Sequence, residues 1–231
     1  MAKALLTVAD GFAPELIDGA KLEGYFDIPC LERPKEFITP QRLIPFSQRG
    51  RSQDCSEFVA FYEYDVNFAG LIRQPELYSE DLGKFAGLIT PDCSLYRDMP
   101  METQIINTYR SRMVGYHCQQ RGMYVIPNVR WSDERSYTTC VWPVKFAFLG
   151  IPQYSIVAVS TYGCIKKRDD KYYFKQGLQA MLEELKPVIV LVYGAMPKPI
   201  FAEFEDLASF KPFPNWISLQ KGKKVKSWEQ E

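Results

Sequence analysis

The 231-residue chain holds a single histidine, His117, and none of its six cysteines stands in a C-x-x-C pair. A zinc site is therefore not expected, since such sites draw closely spaced Cys and His ligands. No run of about 18 apolar residues occurs, so no membrane-spanning helix is expected. The opening stretch MAKALLTVADGFAPEL lacks the charged head and apolar core of a secretory signal. A cytoplasmic setting with reduced thiols is the expectation. Excess charge is missing too: 28 Lys and Arg offset 28 Asp and Glu. No global field pulls the molecule onto nucleic acid or an anionic membrane, and any such contact needs a local patch. Neither G-x-G-x-x-G nor a P-loop pattern is present, and nothing at a telling spacing from His117 suggests a nucleophilic triad.

The chain does have apolar bulk, with 46% hydrophobic and 14% aromatic residues, enough for one sizeable core in one domain. Its cysteines (Cys30, Cys55, Cys93, Cys118, Cys140 and Cys164) are spread along the sequence, as small core residues are. Residues 1–54 are punctuated by Pro29, Pro34, Pro40 and Pro45, each of which removes a donor and restrains its neighbour. They read as an arm wrapping the body, with Phe26, Ile28, Phe37, Ile38, Leu43, Ile44 and Phe46 packed down.

Residues 55–218 read as an α/β domain. Five short β-branched or aromatic runs end in polar or turn residues, placing strands near 57–64, 86–90, 123–128, 155–161 and 188–193. Helical spacing separates them. In METQIINTYRSRMVGYHCQQRG, Ile105, Ile106, Tyr109, Met113 and Tyr116 share a face; in KYYFKQGLQAMLEELKP, Phe174, Leu178, Met181, Leu182 and Leu185 do so, with Asp169 and Asp170 favouring the helix start. Alternating strands and helices imply about five mainly parallel strands, in an open doubly wound sheet or an incomplete barrel. Residues 219–231 form a Lys-rich tail, with Lys221, Lys223, Lys224 and Lys226.

In either architecture, ligands bind where the carboxyl ends of parallel strands emerge. The stretch GMYVIPNVRWSDERSY would deliver Asn128, Arg130, Trp131, Ser132 and Asp133 to one wall of such a crevice, with TPDCSLYRDMP and STYGC opposite. Asp92 and Asp98, with Arg97 between them, are the best carboxylate pair, able to divide acid and base roles or hold magnesium. Structural roles as a turn residue and a helix cap compete with that reading. Arg110, beside Tyr109, has the planar fork that suits an anion. Asn128 and Trp131 suit a base, through hydrogen bonds and stacking, although Trp131 could equally cover the core. Thr161, Lys166 and Lys167 lie in a strand-end segment suited to phosphate, or to a solvated loop tip.

Three segments, GLITPDCSLYRDMP, QIINTYRSRMVGYHCQQRGMYVIPNVRW and FLGIPQYSIVAVSTYG, together resemble the family called domain of unknown function 4417, over roughly residues 55 to 215. The resemblance implies a phage, plasmid or mobile-element setting and no established activity. Two expectations follow. The first is a binding protein that holds a nucleotide, nucleic acid or host partner in the crevice, acting in DNA transactions or counter-defence, with no cofactor. The second is a metal-assisted phosphodiesterase or related hydrolase using Asp92 and Asp98, for which magnesium would be the cofactor.

Overall fold

The computed structural model describes residues 13–53 and 55–220, so the tail lysines lie outside the described residues. Among the described residues, a short antiparallel pair, β1 (Leu22–Glu23) and β2 (Ile28–Pro29), precedes seven parallel strands. These are β3 (Leu43–Pro45), β4 (Phe58–Ala60), β5 (Gly87–Ile89), β6 (Val125–Ile126), β7 (Ile156–Ser160), β8 (Ile189–Tyr193) and β9 (Ser209–Phe213). Strands β3 to β6 form a four-stranded sheet and β7 to β9 a three-stranded one, both wholly parallel and in sequence order. One isolated parallel bridge, Asn128 to Ala158, links them. The order never reverses, as it must at the switch point of a doubly wound sheet.

The five expected strands are present and parallel, and two more flank them. Both additions are edge strands that contain proline, Pro45 in β3 and Pro212 in β9. Proline is tolerated at an edge because one row of donors there has no ladder partner. The Pro-rich segment is thus part of the sheet: the boundary at residue 54 falls between two paired strands. Of its apolar residues, Ile28, Leu43, Ile44 and Phe46 are buried, Phe26 and Phe37 half-buried, and Ile38 exposed.

Parallel strands need crossovers, and helices supply most of them. Helices α1 (Ala69–Arg73) and α2 (Ser79–Leu82) lie between β4 and β5, α3 (Met101–Gln120) between β5 and β6, and α4 (Glu134–Tyr137) between β6 and β7. Helix α5 (Arg168–Leu185) connects β7 to β8, and α6 (Lys198–Phe201) connects β8 to β9. Among the described residues no helix is long and apolar enough to cross a membrane.

Side chains on successive strand residues point to opposite faces, and the core divides accordingly. On one outer face, Val59, Leu88 and Val125 pack with Met113, Val114 and Cys118 of α3. On another, Val157, Val159, Val190 and Val192 pack with Leu178, Met181 and Leu182 of α5. The inner faces share a third cluster, to which all seven parallel strands contribute, from Leu43 of β3 to Phe213 of β9. Burial on both faces is why the runs read as continuously apolar.

Helix α5 buries the expected Phe174, Leu178, Met181, Leu182 and Leu185, and Asp170 accepts from the Lys167 backbone N–H at its start (2.9 Å). Helix α3 departs from expectation. Met113 and Tyr116 are buried, but Ile106 is exposed and Ile105 and Tyr109 half-buried, while Gln104, Asn107, Thr108, Ser111 and Arg112 are buried instead. The first half of this helix turns a polar face inward because polar loops wait there. All six cysteines are free thiols; only Cys93 and Cys118 are buried, Cys30, Cys55 and Cys164 are intermediate, and Cys140 is exposed.

Candidate functional site

Strands that run parallel present their carboxyl ends on one side, where loop backbone and side chains leave room for a ligand. A cavity of about 580 Å³ opens there. Every parallel strand feeds it: Ser47 follows β3, Tyr62 β4, Asp92 β5, Arg130 β6, Tyr162 β7 and Trp216 β9, while Tyr193 ends β8.

Six aromatic residues line the cavity, Tyr62, Tyr64, Tyr96, Tyr162, Tyr193 and Trp216. Tyr62 and Tyr193 stack with ring centroids 4.6 Å apart and planes at 22°, and Tyr162 meets Tyr193 edge-on at 6.1 Å. Hydrogen bonds fix these rings: the Tyr62 hydroxyl donates to Asn128 Oδ1 (3.1 Å), and the Trp216 backbone N–H donates to the Tyr193 hydroxyl (2.9 Å). Burial, then the neighbouring Asp92 charge, holds the Tyr62 phenol well above its ordinary pKa, so it remains a donor. Tyr64, Tyr96 and Tyr162 are exposed at the mouth.

Beside the aromatics lies a buried ion pair. Asp92 accepts from Arg130 Nη1 (2.7 Å) on one oxygen and from Asn128 Nδ2 (2.8 Å) on the other. Burial raises the Asp92 carboxyl above its ordinary pKa, against the pull of Arg130 and Asn128. Burial alone would lower Arg130, but Asp92 together with the weaker pull of Cys164, Tyr96 and Asp65 more than offsets it and keeps the guanidinium protonated. Asp65 accepts from the backbone N–H (3.0 Å) and hydroxyl (2.9 Å) of Ser94, another lining residue.

The inward polar face of α3 holds these loops from behind. Gln104 donates to the carbonyls of Tyr96 (3.0 Å) and Met99 (2.9 Å) and accepts from Ser132 Oγ (2.6 Å); Asn107 donates to the Ser94 carbonyl (2.7 Å). Arg112 donates to the carbonyls of Asn128 (3.0 Å), Leu149 (3.0 Å) and Ala147 (3.1 Å). Thr90 Oγ1 accepts from the Asn128 backbone N–H (2.9 Å). Asn128 is therefore gripped by backbone and side chain alike, and through it Asp92 and Tyr62 take their places.

A second hollow of about 440 Å³ adjoins the first and shares Tyr96, Arg130, Gly163 and Cys164 with it. Arg97 lies on its wall, with its guanidinium 4.5 Å above the Tyr173 ring and bonded to Asp170 (2.7 Å).

The residues singled out from sequence fall into distinct places. Asp92, Arg130 and Lys166 line the larger cavity, with Asn128 directly behind Asp92. Asp98 is exposed on the second hollow, so the two acids line different hollows. Trp131 is buried against Phe148 and Phe174, donates to the Tyr173 carbonyl (3.3 Å) and reaches only the smaller hollows. Thr161 is buried and donates to the Ala195 carbonyl (2.6 Å), away from the lining. Tyr109 packs on the α3-side core, and Arg110 donates to Asn107 Oδ1 (3.3 Å). Lys167 is the residue preceding α5, and Asp133 caps α4 by accepting from the Arg135 backbone N–H (3.1 Å).

Sequence reasoning placed Tyr96 and Tyr162 only within wall segments and did not single out Tyr62, Tyr96, Tyr162, Tyr193 or Trp216 as site residues, although all five line the cavity. Their available signal was position: four of the five stand at or just beyond a strand end. Among the described residues, no group of three His, Cys, Asp or Glu side chains is placed to hold a metal ion.

Fold and site together define a parallel α/β protein with an aromatic, ion-paired cavity at the carboxyl ends of its strands. The chain belongs to the family described as Domain of unknown function (DUF4417), whose model matches residues 20–211. It is 29% identical over 171 residues to the Gene 1 protein of Mycobacterium phage D29, covering 74% of this chain and 60% of that protein. It is 28% identical over 194 residues to the Gene 1 protein of Mycobacterium phage L5, covering 83% of this chain and 80% of that one. The chain thus spans well under the full length of the D29 relative. No solved structure matches it.

Proposed function

We propose that the seven parallel strands form an incomplete barrel around their shared inner cluster, and that the chain is a phage-associated binding protein. Its cavity holds a nucleotide or a piece of nucleic acid. The observation that carries this reading is the pairing of stacked and exposed tyrosines with Arg130 and Lys166 in one cavity. Aromatic faces accept any base, and cations beside them accept its phosphate. The volume lies in the range of small-ligand sites. In a phage setting such binding fits a part in DNA transactions or in counter-defence. Metal-assisted hydrolysis on Asp92 and Asp98 has less support, because the two acids line different hollows and each Asp92 oxygen already accepts a hydrogen bond.

Titration calorimetry with nucleoside monophosphates and short single-stranded oligodeoxynucleotides tests the reading. Saturable binding is expected, and Tyr162→Ala and Trp216→Ala should each weaken it by about 1–3 kcal/mol, the scale of one stacking contact. An absence of heat with every ligand, for protein whose thermal unfolding is cooperative, sinks the proposal.

A further inference from the structure

We infer that the two adjoining hollows together take a dinucleotide unit, with one base in each and the linking phosphodiester at the waist beside Arg130. This rests on the nucleotide reading above and goes beyond it by fixing the size and charge of the ligand.

Three observations converge. The first is adjacency: Tyr96, Arg130, Gly163 and Cys164 border both hollows, so a ligand longer than one nucleotide that reaches over these four residues touches both. The second is that each hollow has its own flat surface. The larger offers the tyrosine rings. The smaller offers the Arg97 guanidinium, set in place by the Tyr173 ring beneath it and by Asp170. Guanidinium planes stack bases as aromatic rings do.

The third is charge. Arg130 is paired with Asp92 and Arg97 with Asp170, which leaves Lys166 as the lining cation with no carboxylate partner among the described residues. Lys166 lines the larger hollow, two residues beyond Cys164, which borders both. Arg130 borders both hollows, and its buried Nε has no hydrogen-bond partner among the described residues. One spare cation suits the single negative charge of a phosphodiester. A terminal phosphate or polyphosphate would bring more charge than Lys166 offsets, in a space that Glu63 and Asp98 also line.

The test compares thymidine monophosphate, the dinucleotide TpT, TpT with a neutral methylphosphonate link, and a short oligothymidylate, by calorimetry on the full chain. TpT should bind about tenfold or more tighter than the mononucleotide, the gain of a second stacked base. Arg97→Ala should remove that gain and leave mononucleotide affinity unchanged. Arg97→Lys, which keeps the charge and loses the plane, should act like Arg97→Ala. Lys166→Ala should weaken TpT but not its methylphosphonate. An oligomer that binds at least as well as TpT assigns the unit to a strand; one that binds worse assigns it to a free dinucleotide. TpT binding no tighter than the mononucleotide, or a gain that survives both Arg97 variants, overturns the inference while the nucleotide reading stands. Binding of none of the four removes both.

Discussion

Arg112 makes its ties within the fold without a carboxylate. Its guanidinium is fully buried and donates to three backbone carbonyls and the Ser111 hydroxyl. Burial lowers its pKa to about 10, which still leaves it charged at neutral pH. Removing it strands several buried acceptors, each worth about 1–3 kcal/mol, so Arg112→Leu should destabilise the fold by about 3 kcal/mol or more in urea unfolding. His117 makes a pH-dependent contribution. Its Nδ1 accepts from Arg121 (3.0 Å) and its Nε2 faces Ser79 Oγ (3.1 Å), an arrangement for the neutral ring. Burial, then Arg121, lowers its pKa from 6.5 to about 4. The unfolded chain therefore binds a proton that the folded chain refuses. The stability His117 contributes is whole above pH 6.5 and falls as pH drops towards 4, by up to about 3 kcal/mol. His117→Gln should flatten the urea midpoint across that window relative to the parent; parallel curves would contradict the assignment.

At the scale of elements, α5 and the loop after β6 meet through one glycine. A Cβ on Gly177 would collide with the Trp131 indole, so Gly177→Ala must push Trp131 out of its seat between Phe148 and Phe174. Overpacking of this kind costs about 1–3 kcal/mol, and near-ultraviolet circular dichroism should report the displaced ring. Helix α5 was plain in the sequence because its apolar spacing matches the face it buries. Strands β4 to β8 were plain because each is an uninterrupted apolar run. Strands β3 and β9 were hidden by proline, and in β9 also by Lys211. Within the site, Asp92, Arg130 and Lys166 could be placed from strand ends alone. Gln104, Asn107 and Arg112 could not, because their burial follows from where the loops of β5 and β6 land against α3, which no local pattern encodes. The tyrosines were visible as residues but not as a set: Tyr62, just beyond β4, and Tyr193, the last residue of β8, stack in the fold but are far apart in the sequence.

For the whole molecule, a ligand that binds only the assembled cavity must stabilise the fold by mass action. At about a hundredfold its dissociation constant, the proposed ligand should add about 2.7 kcal/mol and raise the melting temperature by several degrees. A thermal scan that does not move under saturating ligand would place binding away from the folded cavity. The strand order has a consequence for synthesis. Because each parallel strand pairs with the one before it in sequence, or is bridged to it between β6 and β7, a ribosome delivers the strands in their spatial order across the sheets. Each newly made strand finds an edge already waiting, and none must displace an earlier neighbour. The cavity, by contrast, is the latest product of that sequence. Phe213 and Trp216 arrive after six of the seven strands, so the nascent chain can bury most of its core well before it can hold a ligand.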